Sequence, residues 1–173
     1  MSRTRNTLVL TLLALSSACS GDGPTGPAGA SSLLADKAAH AVGPRPAGGR
    51  CVTAFNVVGG DAQSFTLAIT AVCNLKHLGH TTLVATETVG LVDGALVNSS
   101  TYTAANGDKL TSTFAGQVIS PPGPDVVFIG TETYTGGTGR FHGASGSSAI
   151  EGTATLHGTS GTGQYTITGT ITY

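Results

Sequence analysis

The chain has 173 residues and a formal charge of −1, with 26 Gly, 27 Thr and only 10% charged residues, against about 25% in an ordinary soluble domain. So few charges exclude a solvated, disordered chain, the shortage of Leu, Glu and Lys excludes a helical one, and the scattered basic residues form no nucleic-acid surface. β-Branched side chains suit a pleated sheet and Gly supplies turns, so the remainder reads as a single all-β domain.

The chain opens as an export signal over residues 1–18: Arg3 and Arg5 form a basic start, Leu8 to Leu15 an apolar run, and Ser16-Ser17-Ala18 a small-residue cleavage region. That run is too short to span a bilayer. Leu15, the small residues after it and Cys19 resemble a bacterial lipoprotein lipobox, in which the cysteine becomes a lipidated N-terminus. Leu15 stands four residues before Cys19, one more than the usual spacing, and small residues at Ser16 and Ala18 also suit ordinary signal cleavage. The expected location is therefore the bacterial cell envelope, with the membrane as a partner through the lipid on Cys19, or else the periplasm or medium as a soluble protein. Residues 19–50 are rich in Gly, Ala, Pro and Ser and read as a flexible linker that holds the domain 51–173 away from its anchor.

From Cys51 the chain breaks at Gly, Pro, Asn and Asp into strand-length runs: 51–58, 63–74, 81–90, 95–104, 108–118, 125–135, 147–157 and 164–172. If the first two pair around Gly59-Gly60-Asp61-Ala62, Cys51 and Cys73 lie nearly opposite each other, and in an oxidising compartment a cross-strand disulfide follows. His77 and His80 follow at the next turn; a metal needs a third ligand, none is apparent, and neither metal nor cofactor is expected. The third run puts Glu87 on one face with Leu83, Ala85 and Val89. The fifth puts Leu110, Ser112, Phe114, Gly116 and Val118 together, and the sixth groups Glu132 with Val126, Phe128 and Tyr134. The last run alternates most regularly, with Tyr165, Ile167, Gly169, Ile171 and Tyr173 on one face and Thr on the other. Short connections, Asn106-Gly107 among them, imply an antiparallel meander. Closing it into an up-and-down β-barrel removes both exposed edges, which favours a barrel over a sandwich. Eight strands leave an interior wide enough for packed side chains or one small ligand.

Between the sixth and seventh runs stands Tyr134-Thr135-Gly136-Gly137-Thr138-Gly139-Arg140-Phe141-His142-Gly143. This segment resembles the Gly-Gly-Thr-Gly-x-Phe turn of plant dirigent proteins and of the related allene oxide cyclase barrel, and more closely that of a group of bacterial secreted proteins. Ala104-Ala105-Asn106-Gly107-Asp108 is similar to their fourth hairpin. The resemblance implies an eight-stranded antiparallel barrel, often a homo-oligomer, whose lumen shapes a small hydrophobic molecule. It does not carry an activity across, because Ser145-Gly146-Ser147 replaces the Arg-Gly-Tyr that usually follows the turn. Read on their own, Gly136, Gly137 and Gly139 allow a tight irregular connection beside Arg140, and Phe141 plugs one end of the barrel. A phosphate loop would need a following helix, and none is expected.

Glu87 and Glu132 are the candidate catalytic pair. Each sits on the more apolar face of its strand, and strands three and six lie across a barrel from each other, so both carboxyls can converge on the lumen, where burial suits acid–base work. A bulge or register slip would instead put them outside as solvated charges. Three readings follow: a barrel that binds a small hydrophobic ligand or is purely structural, an isomerase or cyclase using the two glutamates, and an adhesion or assembly module with a Thr-rich outer face. The first is preferred, and no motif commits the chain to an enzyme.

Overall fold

The computed structural model describes residues 43–173; the signal segment 1–18, Cys19 and the linker as far as residue 42 lie outside the described residues. Eight strands follow in chain order: β1 Arg45–Gly60, β2 Ser64–Leu75, β3 Gly79–Gly90, β4 Ala95–Ala104, β5 Lys109–Val118, β6 Asp125–Gly137, β7 Ser145–His157 and β8 Ser160–Thr172. Each pairs antiparallel with the next, and β8 pairs back onto β1, which closes the barrel.

The runs expected from sequence match these strands, with two corrections at strand starts. β8 begins at Ser160, not 164, because Ser160 to Gly163 pair with β7 and with β1 and the turn shrinks to Gly158-Thr159. β1 begins at Arg45, so residues 45–50, assigned above to the linker, are part of the barrel and pair with residues 166–171 of β8. Pro46 and Gly48-Gly49 look like strand breakers, but Pro46 falls in the first turn-length of the strand. Gly49 lets the backbone pass so close to Asn74 and Leu75 that any side chain would collide there.

Alternation gives the interior its contents. The inward set from Cys51, Phe55, Leu67, Leu83, Leu96, Leu110, Phe114, Ile150 and Ile167 forms one buried cluster. Cys51 and Cys73 are register partners and form a disulfide with Cα atoms 4.0 Å apart.

The two ends of the barrel differ. At the end where β1 starts and β8 stops, the glycine turn folds inward as a short 3-10 turn, Gly139–Phe141, and buries Phe141 completely (0% exposed). Its ring meets that of Tyr173 edge-on at 4.9 Å, and the Arg140 guanidinium covers it at 4.7 Å. Gly139 has φ +57, and a Cβ there would run into the Asp108 carboxylate, which in turn accepts the Arg140 backbone N–H at 3.3 Å. Glycine is thus required where the plug is pinned to the preceding hairpin. The opposite end is formed by the connections 61–63, 91–94, 119–124 and 158–159, and among the described residues it carries no comparable plug.

Candidate functional site

A cavity of about 140 Å³ runs from the middle of the barrel to this unplugged end, reaching Val57, Val126 and the turn Gly158–Ser160. That is close to the roughly 150 Å³ at which an apolar protein cavity takes up benzene. Its upper wall is apolar, with Phe55, Phe65, Val89, Leu96 and Phe128 among the side chains. The plugged half below it is filled, by Tyr102, Leu110, Phe141, Ile171 and the disulfide. The lumen is therefore half packed core and half open vessel.

The polar groups lie where the two halves meet. Strand register sets them out in order, because cross-strand partners on one face sit side by side. Glu87 pairs with Asn98, Asn98 with Phe114, Phe114 with Glu132 and Glu132 with Ser148, a single line across β3 to β7. Both glutamates face inward and line the cavity, so neither is a solvated outer charge.

Their surroundings separate their roles. Glu132 is 1% exposed, and both its oxygens are occupied. Oε1 accepts from the Ser112 hydroxyl at 2.6 Å and the Tyr102 hydroxyl at 2.8 Å, and Oε2 from Tyr102 at 3.0 Å. Burial raises the pKa of its carboxyl, and the bonds from Ser112 and Tyr102 pull it back in part. Glu87 is half-buried; its Oε2 accepts from Asn98 Nδ2 at 3.0 Å, and Oε1 has no hydrogen bond among the described residues. Asn98 is oriented in turn by Ser100, whose hydroxyl donates to Oδ1 at 2.9 Å, so the amide nitrogen must point at Glu87. Burial again raises the Glu87 carboxyl, opposed by Asn98. Glu132 is held by the protein; Glu87 is presented to whatever enters.

Three phenols surround the carboxyls. Burial first, then the Glu132 charge, pushes Tyr102 and Tyr165 well up, and burial pushes Tyr134 to about 12. All three stay protonated at neutral pH, as donors. The Tyr134 hydroxyl is 2.8 Å from that of Ser148. Thr53, 7% exposed and part of the cavity wall, has a hydroxyl without a partner among the described residues.

The inward faces of β3, β5 and β6 were legible in sequence, Ser112 included. Asn98, Ser100 and Tyr102, which the inward period of β4, Leu96-Asn98-Ser100-Tyr102-Ala104, would have found, were not singled out, nor was Thr53 on β1; Tyr165 was already placed on the inward face of the last run. Gly136, Gly137, Gly139, Arg140 and Phe141 lie at the plugged end, away from the cavity, with Phe141 as the plug. His77 and His80 are exposed at the β2–β3 turn, and among the described residues no three of His, Cys, Asp or Glu gather in a metal-binding group.

No family model and no curated relative matches the chain. A solved structure of a pterocarpan synthase dirigent protein is similar to it, at 13% identity and a TM-score of 0.44, covering 75% of this chain and 92% of that one. The closed eight-stranded antiparallel barrel is the architecture that the resemblance at the glycine turn implies. In that sense the fold is dirigent-like.

Proposed function

We propose that this chain is an exported barrel that binds one small, largely hydrophobic molecule in its lumen. The observation that carries this reading is the cavity of about 140 Å³, apolar-walled, open at one end and floored by a few polar groups, the usual composition of a small-molecule site. A barrel with a purely structural role has no need to leave half its interior unfilled. The Cys51–Cys73 disulfide suits an oxidising compartment, and the signal segment, Cys19 and Gly/Pro-rich linker support a lipid-anchored place in the cell envelope.

The second reading, an isomerase or cyclase, is favoured by one feature: Glu87 has an unoccupied oxygen, a fixed orientation from Asn98 and a raised pKa, as a general acid needs. In that reading proton transfer falls to Glu87, and Glu132 organises the floor through Tyr102 and Ser112.

Native purification from envelope extracts followed by mass spectrometry tests the proposal. A lipid-sized mass on the N-terminal cysteine and a co-purifying small molecule are expected. Protein that carries no such molecule and takes up none of a panel of ring-sized apolar compounds would end the binding reading. An unmodified N-terminus after Ala18 would end the lipid anchor alone.

A further inference from the structure

Charge is distributed along the barrel axis with a clear polarity. Among the described residues every Lys and Arg, namely Arg45, Arg50, Lys76, Lys109 and Arg140, sits in the plugged half. The acids are elsewhere. Asp61, Asp93 and Asp125 stand in or beside the connections of the open end, Glu87 and Glu132 line the lumen, and Glu151 lies outside on β7. Asp108 alone shares the plugged end, where it faces Arg140 at 3.9 Å. At the open end His157, exposed at the end of β7, is the nearest base.

The open-end carboxylates are oriented by local hydrogen bonds. Asp61 accepts the backbone N–H groups of Gln63 and Ser64, both at 2.8 Å, which lowers its pKa. Asp93 accepts from the Ala95 N–H at 3.0 Å and Asp125 from the Thr155 hydroxyl at 2.9 Å. A mouth and a lumen lined by one sign of charge, with low-dielectric walls, focus the field on the path between them. Among the described residues no Lys, Arg or His lines the cavity, so a carboxylate or phosphate ligand would meet two glutamates and no counter-ion from them.

Resting on the lumen-binding reading above, we propose that the ligand is a lipophilic amine: a cation with an apolar body about one ring in size, its ammonium against Glu87. Three features of the wall fit such a head group. Glu87 Oε1 is unoccupied, while Asn98 and Ser100 fix the carboxylate from behind. The Thr53 hydroxyl, more than nine-tenths buried in the wall of the same cavity, has no partner among the described residues and is a further acceptor for a donor in the lumen. Phe114, in register between Asn98 and Glu132, offers a ring to the charge. The remaining phenylalanines and aliphatic side chains toward the mouth take the apolar body. A neutral ligand would leave the mouth acids and the free Glu87 oxygen without use.

The test compares three compounds of one skeleton, 3-phenylpropylamine, 3-phenylpropan-1-ol and 3-phenylpropanoate, by titration calorimetry against the mature protein at pH 7, where the amine is protonated. We expect the amine to bind at least about tenfold more tightly than the alcohol, as a charged hydrogen bond in a dry site allows. We expect no binding of the propanoate, and loss of the amine's advantage in Glu87→Gln. An alcohol that binds as well as the amine, a propanoate that binds at all, or a preference that survives Glu87→Gln overturns the amine proposal while leaving a lumen that binds ligands. If none of the three binds, the lumen reading falls with it. The wild-type ratio decides the matter even if Glu87→Gln fails to fold.

Discussion

Tyr102 and Glu132 are the most deeply buried polar pair, and the barrel centre depends on their mutual satisfaction. Tyr102→Phe keeps the ring but leaves the Glu132 carboxyl with Ser112 as its remaining hydrogen-bond donor. Urea unfolding should show a loss of about 1–3 kcal/mol, the usual cost of a buried polar group deprived of its partner. The two glutamates also set a pH dependence. Their folded pKa values are raised by burial above the ordinary value of 4.5, so the folded state holds protons that the unfolded state has released. Stability is then greatest below about pH 4.5 and falls as pH rises through the folded values, levelling off above them. The groups facing the pair, Tyr102, Tyr134 and Tyr165, stay neutral throughout this window. Asp61, with a lowered pKa, acts in the opposite sense and only at lower pH. Melting temperatures measured from pH 4.5 to 8 should fall with pH in the wild type and be flatter in Glu132→Gln; an unchanged slope in the variant would exclude Glu132 as its source.

Between strands, two devices hold the barrel: a cross-strand disulfide and glycines that make room for rings. The bridge joins residues 22 apart, and by loop-closure entropy its removal in a Cys51→Ala/Cys73→Ala variant should cost about 3 kcal/mol, read as a lower urea midpoint. Gly116 and Gly130 are register partners on the inward faces of β5 and β6, and the Phe114 ring lies over both. A methyl at Gly130 would strike that ring and the Ala115 carbonyl. Gly130→Ala should therefore cost about 1–3 kcal/mol by overpacking, whereas Gly123→Ala, with nothing within 4 Å, should leave the melting temperature unchanged. These elements also show what a sequence can and cannot disclose. Period-two alternation places Glu87, Glu132 and the face from Leu110 to Val118 indoors without any knowledge of partners. That Tyr102 meets Glu132 from thirty residues away, or that Phe114 rests on glycines of two strands, depends on register and shear, which no single strand encodes. The bounds of β4 were legible but its inward face was not, because Asn98 and Ser100 interrupt it with polar groups, and those are the groups that build the site.

At the scale of the whole molecule, closure is the property on which the lumen depends, and it is made by the strand whose start the sequence conceals. β1 meets β8 over Arg45 to Asn56, and half of that contact comes from residues 45–50. The same segment buries Ala47, accepts the Lys76 N–H on the Gly48 carbonyl at 2.7 Å, and places the Arg45 guanidinium 5.0 Å from the centre of the Tyr173 ring. Without it, β8 keeps its pairing with β7 but shows a bare edge from Thr166 to Ile171 beside the plug. An unpaired edge of alternating Ile and Thr is a template for another chain. A chain beginning at residue 51 should therefore melt at least about 5 °C below one beginning at residue 44, a shift corresponding to little more than 1 kcal/mol in a domain of this size. It should also run larger on size exclusion as strands add edge to edge. If both chains melt together and both remain monomeric, the pairing of residues 51–56 with 160–165 is enough to close the barrel, and residues 45–50 are a linker that happens to lie against it.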